Sequence, residues 1–170
     1  MKPERRINLF EERLTHSIIG AFYEVYNYYG FGFAEKVYKG GLEIELRARG
    51  HKVDREVSIL IYYKGTPVTW QRIDMIVDDK VIVESKTSAR LPPDAEPQLL
   101  GYVRATPLEL GLLLHFGLRP DFRRLISSIA TQIPRTHPSL PIEWLFLNQV
   151  VFSTHEQEAR FVNTLLLPSS

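Results

Sequence analysis

Three charged side chains interrupt two successive apolar segments, where buried strands would carry only apolar residues. Glu84 and Lys86 follow the apolar residues 81–83, and Asp74 lies one strand earlier in the chain. A break of this kind in an apolar pattern is typical of a functional site. Two carboxylates and an ammonium that converge can hold a hard cation and a water molecule beside a phosphate, which is the minimum equipment for hydrolysing a phosphodiester.

Convergence of the three side chains depends on the register of the hairpin between them. Side chains two apart on a strand share a face, so Glu84 and Lys86 are neighbours. A two-residue loop before residue 80 would send the Asp74 carboxylate to the opposite face of the sheet. A three-residue loop over residues 78–80, or a bulge, would instead pair Asp74 with Glu84. We predict the three-residue loop.

The alternative is a solvated salt pair on an edge strand, with Asp74 as a surface acid near a turn. The residues around the charges argue against this alternative, because they are apolar and require burial on both faces of their strands. They are Ile73, Met75, Ile76, Val81, Ile82 and Val83.

Length and composition bound the kind of protein. A chain of 170 residues, 44% hydrophobic and 24% charged, is large enough for one well-buried core. No stretch approaches the ~20 apolar residues of a membrane span, and no apolar segment follows the charged N-terminus, so we expect neither membrane insertion nor a secretory signal. The absence of cysteine excludes disulfides, thiolate metal sites and cysteine catalysis, and it suits a cytoplasmic location. A net charge of +1 does not indicate a partner.

The spacing of apolar residues predicts the elements that must position the charged site. In chain order they are helices at 11–29 and 34–49, strands at 57–63, 68–77 and 81–87, a helix at 94–105, a strand at 111–117 and a helix at 119–129. The strand at 111–117 is apolar on both faces, so we expect it in the interior of the sheet. Gly40 and Gly41 interrupt the second helix and could permit close helix packing.

The composition changes after residue 133, where three prolines fall within eight residues. We predict one domain over residues 1–133 and a C-terminal extension over residues 134–170, with a strand at 144–152 and a short helix at 154–166. Large apolar residues in the extension require cover, so we expect a packed arm or an oligomerisation element, with a homodimer as one possibility.

The order of elements, with Asp74 and then Glu84, Ser85 and Lys86 on successive strands, resembles the PD-(D/E)xK nuclease superfamily. More narrowly, residues 32–38 match the signature for which the GxxExxY family of small bacterial and archaeal proteins is named.

Other segments carry the same resemblance. Residues 20–25 precede a Gly-rich turn, residues 63–65 lie in the first hairpin, and residues 98–102 look like the Q-x-x-x-Y element of the exonuclease-like branch. The resemblance covers roughly residues 14–126.

The resemblance implies an α/β fold of the α+β type, with an αβββαβ core in which helices flank a central mixed sheet. It also implies that Asp74 and Glu84 are metal ligands and that Glu35 lends a further acid from the second helix. Lys86 would position or help deprotonate the attacking water and steady the charge on the phosphate. Gln98 and Tyr102 would lie beside the site, four residues apart and therefore on one face of the third predicted helix.

Oxygen ligands select a hard cation, so Mg²⁺ or Mn²⁺ is the implied metal and zinc is disfavoured. Lys86 beside such a cation is expected to be partly deprotonated. His115 alternates within an apolar strand and is interpreted as a core histidine rather than a ligand.

Two functions remain open at this point. The chain is either a nuclease acting on DNA ends or single strands, or a non-catalytic module of the same fold that binds nucleic acid or a protein. A purely structural domain with an incidental charged triad is a weaker third possibility. The presence of Asp74, Glu84 and Lys86 favours the nuclease, although a fold alone does not establish an activity.

Overall fold

A computed structural model describes residues 9–127, with side chains from residue 12 onward. The elements in chain order are α1 (Leu9–Tyr29), α2 (Glu35–Ala48), β1 (Val53–Tyr63), β2 (Thr66–Val77), β3 (Val81–Lys86), α3 (Ala95–Ala105), β4 (Leu110–Phe116) and β5 (Pro120–Ile126). The strands form one sheet in the order β1-β2-β3-β4-β5. Strand β3 is antiparallel to β2 and parallel to β4, and β4 is antiparallel to β5. The predicted mixed sheet with flanking helices is confirmed.

The described residues belong to two compact units. One contains the chain up to Glu56 and again from Ile73, and the other contains Val57–Arg72, which includes residues of β1 and of β2. In the second unit the strands turn at Lys64 and Gly65, whose φ angles are 50° and 81°. Every candidate site residue belongs to the first unit.

Helices α1 and α2 pack closely where α2 carries a glycine. A Cβ atom at Gly41 would lie 3.1 Å from a methyl group of Val25 and 3.2 Å from the ring of Tyr29, which is tighter than ordinary contact. The missing side chain therefore lets the two helices approach. The expected role in packing is confirmed at Gly41, whereas nothing lies within 4 Å of a Cβ at Gly40.

The two helical layers cover opposite faces of the sheet. Buried residues of α1 and α2, such as Phe22 and Leu42, join Leu112 and Leu114 of β4 in one core cluster. Gly111 faces the other way, because side chains alternate along a strand. A Cβ there would lie 2.9 Å from the Leu99 side chain of α3. Strand β4 is thus buried on both faces, as predicted.

The predicted helix at 119–129 is wrong over its described part. Residues Pro120–Ile126 form β5, which pairs with β4 from Phe116↔Pro120 to Leu110↔Ile126. Strand β4 is fully buried, so without β5 one row of its backbone N–H and C=O groups would have no hydrogen-bond partner. Pairing with β4 therefore overrides the weak local preference of residues 120–126. Pro120 is the first residue of an edge strand, a position that tolerates the loss of its N–H.

Other differences are shifts of boundaries. Strand β1 begins at Val53 rather than residue 57, and β2 begins at Thr66 rather than residue 68. The predicted extension at 134–170, with its strand and its helix, lies outside the described residues. No helix within residues 9–127 has the combination of length and apolarity needed to cross a lipid bilayer.

Candidate active site

The hairpin between β2 and β3 has the predicted three-residue connection. Val77 pairs with Val81, so residues 78–80 lie between the paired strands. Asp78 and Asp79 both adopt the left-handed conformation, with φ angles of 52° and 56°. The N–H of Lys80 closes the turn by donating to the carbonyl of Val77 at 3.0 Å.

This register brings the two acids of the motif together. The pairing runs to Met75↔Val83, and the same register continued by one residue sets Asp74 opposite Glu84 on one face. Asp74 Oδ2 also accepts a hydrogen bond of 2.8 Å from the backbone N–H of Ser85. Both acids are buried, with 8% of Asp74 and 3% of Glu84 exposed.

A chain of hydrogen bonds anchors the turn to the first helix. His51 lies between Asp78 Oδ2 and Ser17 Oγ, at 2.8 Å from each. The other Asp78 oxygen accepts the backbone N–H of Lys52 at 2.8 Å. These are the residue types of a hydrolytic triad. However, Ser17 lies in the middle of α1, where backbone amides are committed to the helix rather than to an oxyanion. The network is therefore a structural tie.

Glu84 has one oxygen engaged and one without a partner. Its Oε1 accepts from Lys86 Nζ at 2.8 Å, whereas the buried Oε2 has no hydrogen-bond partner within the described part of the chain. Burial raises the pKa of Glu84 to about 7, and the nearby Asp74 carboxylate contributes to the rise. A buried acid with an open lone pair and a raised pKa is a group that would gain from a cation.

Lys86 connects the sheet to helix α3. Its ammonium donates to Gln98 Oε1 at 2.9 Å, and Gln98 Nε2 donates to the hydroxyl of Tyr102 at 2.7 Å. Both predicted residues of α3 are thus adjacent to the charged site. Burial lowers the pKa of Lys86, but the hydrogen bond with Glu84 and the charges of Glu84, Glu35 and Asp74 together outweigh burial, so the net shift is upward. In the chain without a metal Lys86 is therefore a protonated donor, and its partial deprotonation beside a cation stays a prediction.

Lys39 of α2 is the residue that the sequence did not reveal. Its ammonium lies 2.7 Å from Glu35 Oε1 and 2.5 Å from Asp74 Oδ1, with only 12% of the side chain exposed. The ion pair with Glu35 has the spacing of a helical pair and could have been noticed. The contact with Asp74 could not, because it joins residues that are 35 positions apart.

The turn between α1 and α2 explains the spacing of Gly32, Glu35 and Tyr38. Gly32 has a φ of 120°, which a residue with a side chain rarely adopts. The buried Tyr38 donates its hydroxyl hydrogen to the carbonyl of Gly30 at 2.6 Å and accepts the N–H of Phe33 at 3.2 Å. The turn is held by these bonds, and Glu35 follows it at the start of α2.

A profile of the PD-(D/E)XK nuclease superfamily matches residues 12–125, more than half of the chain. The chain belongs to the PD-(D/E)XK nuclease superfamily. Its fold also aligns with the crystal structure of SSO0001, with a TM-score of 0.45 and 19% sequence identity over 79% of this chain and 68% of the other. None of the curated proteins matches the chain.

The donors of this PD-(D/E)XK domain fit a small hard cation in part. Within residues 9–127 no three histidine or acidic side chains come together as a metal site. The Lys39 ammonium already stands between Glu35 and Asp74. Asp74 and Glu84 nevertheless offer carboxylate oxygens side by side, and Mg²⁺ usually takes one or two carboxylates and keeps several waters. The unpartnered Glu84 oxygen is consistent with that mode of binding.

His115 is a core residue of the PD-(D/E)XK domain, as predicted. Its ring is buried, and Nε2 lies 2.7 Å from the carbonyl oxygen of Ser88. Its partners across the sheet are the charged residues Lys86 and Asp121. The hydrogen bond between the ring and the backbone indicates a structural role.

Proposed function

We propose that this chain is a metal-dependent nuclease that hydrolyses phosphodiester bonds of DNA, at ends or in single strands. The observation that carries the proposal is the pair of buried carboxylates, Asp74 and Glu84, with the Lys86 ammonium at 2.8 Å from one and an unpartnered oxygen on Glu84. Membership in the PD-(D/E)XK superfamily supports the reaction class.

Asp74 and Glu84 would hold the metal, which we propose to be Mg²⁺ or Mn²⁺, because the available donors are all oxygens. Such an ion, when bound, lowers the pKa of a water molecule and offsets negative charge on the phosphate. Glu35 would supply a third acid once the Lys39 ammonium moves aside. Until then Lys39 neutralises the two carboxylates that it bridges.

Lys86 would steady the phosphate and orient the attacking water. An ammonium has three hydrogens. Two of them are donated to Glu84 and Gln98 among the described residues, so the third remains for an oxygen of water or phosphate. Gln98 fixes the ammonium from α3, and Tyr102 in turn fixes Gln98. Both residues of α3 are thus positioning residues for Lys86.

Three finer statements belong to the same proposal. Assignment to the GxxExxY family is supported by the roles of Gly32 and Tyr38 in forming the turn before Glu35. A cytoplasmic location is supported by the lack of cysteine. A homodimer, formed through the extension at 134–170, is supported by the apolar residues in that segment.

A non-catalytic module that binds nucleic acid or a protein is the second candidate. One observation favours it, namely that the Lys39 ammonium fills the space between two of the three acids. A cation bound only by Asp74 and Glu84 would be held weakly. This candidate predicts binding of nucleic acid without cleavage under every metal condition.

Both candidates can be separated by one experiment. Purified protein is incubated with labelled single-stranded, double-stranded and flapped DNA, and with single-stranded RNA, in Mg²⁺, Mn²⁺ or EDTA. We expect metal-dependent cleavage of DNA that is lost in Glu84→Ala and in Lys86→Ala. The matched control is Asp79→Asn, an acid of the same hairpin whose side chain is half exposed. Cleavage in EDTA, or full activity in both site variants, would contradict the proposed mechanism.

A further inference from the structure

The turn between α1 and α2 carries aromatic side chains on the protein surface. We call residues 28–33 the aromatic turn. Tyr28 is 83% exposed, Phe31 41% and Phe33 50%, which places all three among the most exposed large apolar side chains of the described residues. Exposed rings that cluster in this way mark a surface for a partner more often than isolated apolar residues do.

The aromatic turn is rigid as well as exposed. The hydroxyl of Tyr38 bonds to the backbone at both Gly30 and Phe33. The Phe33 ring packs at an angle against the rings of Tyr29 and Tyr38, with centroid distances of 5.3 Å and 6.4 Å. Tyr38 itself stacks on the buried Phe116 at 4.5 Å. Because the Phe33 ring and the backbone of the turn are held before binding, less conformational entropy remains to be lost when a flat partner stacks on Phe33.

The aromatic turn adjoins the candidate site. Phe33 precedes Glu35 by two residues, a distance of at most about 7 Å along an extended backbone. The exposed Lys36 lies between the turn and Lys39 in the sequence of α2. The aromatic ring of Phe33, the acid Glu35 and the ammonium of Lys36 therefore lie within four residues of the chain. Proteins that bind single-stranded nucleic acid use this combination, in which bases stack on rings while a cation contacts the backbone.

We propose that Phe31 and Phe33 stack with unpaired bases of a single-stranded nucleic acid whose phosphate lies at the site of Asp74 and Glu84. This inference rests on the proposed nuclease function. Bases of an intact duplex are stacked on each other and offer no free face, so the aromatic turn selects single strands and frayed ends. Lys36 contacts the backbone phosphate beside the stacked bases.

The test measures binding rather than cleavage. The parent protein carries Glu84→Gln so that substrate is not consumed. Its affinity for a single-stranded oligonucleotide and for a blunt duplex of the same sequence is measured by fluorescence anisotropy. A 2-aminopurine base in the single strand reports stacking through the loss of its fluorescence. The variants are Phe31→Ala, Phe33→Ala, the double variant and Phe33→Trp. The control is Ile44→Ala, which removes an apolar side chain of α2 that is 69% exposed.

The expected loss of single-strand affinity is about tenfold for each alanine variant and about a hundredfold for the double variant. Phe33→Trp and Ile44→Ala should bind like the parent, and duplex affinity should change less than single-strand affinity. Quenching of 2-aminopurine should disappear in the double variant.

Each contrary outcome has its own meaning. Equal single-strand binding by the parent and the double variant overturns the stacking proposal and leaves the nuclease proposal intact. Failure of the parent to bind any nucleic acid overturns both. A lower molecular mass of the double variant in sedimentation, with unchanged nucleic-acid affinity, assigns the aromatic turn to contact with a second copy of the chain and likewise overturns the stacking proposal.

Discussion

The sheet and helix α2 each bring acids to the same site, but they position them in different ways. Asp74 and Glu84 lie on paired strands and are almost fully buried. Glu35 is a helical residue with 39% of its side chain exposed, and it meets Asp74 only through the ammonium of Lys39. A strand offers each side chain one of two faces, whereas a long helical side chain reaches its partner through several rotatable bonds.

The difference has an electrostatic consequence. On the strands, burial raises the pKa of Glu84 to about 7, and the neighbouring Asp74 carboxylate contributes to the rise. On the helix, Lys39 contacts Asp74 and Glu35 at the same time. Burial lowers the pKa of Lys39, but its hydrogen bonds with Asp74 and Glu35 and their charges together raise it. Without a bound cation the two acids of the sheet are costly to bury side by side, while Lys39 of α2 supplies a counter-ion to Asp74.

The largest expected effect concerns activity and tests whether the sheet acids dominate. If Asp74 and Glu84 hold the proposed ion, Asp74→Asn and Glu84→Gln should each lower kcat by about a thousandfold, because such an ion contributes several kcal/mol to the transition state. Glu35→Gln should lower kcat by about tenfold or less, since Glu35 is partly exposed and replaceable by water. Initial rates on single-stranded DNA in Mg²⁺ measure all three. Equal losses of kcat in all three variants would show that the acids of the sheet and Glu35 of α2 contribute equally.

The next effect concerns stability and pH in the absence of metal. The pKa of Glu84 lies near 7 in the folded chain and near its ordinary value of 4.5 in the unfolded chain. The folded state therefore binds more protons between these values, and the free energy of unfolding falls as pH rises from about 4.5 to 7, by up to about 3 kcal/mol. Glu84→Gln should remove this decline. Urea unfolding in EDTA from pH 4.5 to 8 measures it.

The control for the pH experiment is Asp79→Asn, which should keep the decline of the parent protein. If the free energy of unfolding of Glu84→Gln fell with pH as much as that of the parent protein, other groups would cause the decline and the pKa of Glu84 would not be raised by folding.

Lys39→Met tests the role of the helical ammonium that pairs with Glu35 and Asp74. Removing the ammonium should increase the affinity for Mn²⁺ by about tenfold, because Asp74 and Glu35 lose an internal competitor in a partly solvated site. In EDTA the free energy of unfolding should fall by about 1 to 3 kcal/mol, because Asp74 is left buried without its counter-ion. Calorimetric titration with Mn²⁺ and urea unfolding measure the two effects.

The control is Lys36→Met, an exposed lysine of the same helix turn. If Lys39→Met weakened Mn²⁺ binding, Lys39 would be a support for the metal site rather than a competitor.

The smallest expected effect sharpens the account of the hairpin. Asp78 and Asp79 share the left-handed conformation, but only Asp78 is bonded to His51 and to the backbone of Lys52. Asp79→Gly should raise the free energy of unfolding by about 0.5 to 1 kcal/mol, since it relieves backbone strain and loses only an exposed ion pair. Asp78→Gly should lower it by about 1 to 3 kcal/mol. Thermal unfolding at pH 7 compares the pair, and two changes of equal sign would show that the turn is not anchored through Asp78.

Most of the elements could be predicted because their signals are local. The apolar spacing of α1 and α2 is a property of a few neighbouring residues. Strand β5 could not be predicted, because the residues at 120–126 have no strong local preference for either a strand or a helix. Its state was decided by the unpaired edge of β4.

The site could be predicted as far as it depends on one hairpin. Alternation on β3 placed Glu84 beside Lys86, and the length of the loop placed Asp74 opposite Glu84. The same reasoning could not find Lys39 or the engagement of Lys86 by Gln98, because a side chain of a helix finds its partner only after the helix has packed.

The sequence by itself determined which acids and bases are present and which face of a helix or strand each one occupies. Its resemblance to a known family also placed Gln98 and Tyr102 near the site. Only the tertiary structure decided that Lys39 bridges Glu35 and Asp74, that His51 ties the turn at Asp78 to α1, and that residues 120–126 complete the sheet. The physical reason is the range of the interactions. Periodicity and turn preference act over a few residues, whereas buried charges are neutralised by whichever groups the packed chain brings within hydrogen-bond distance.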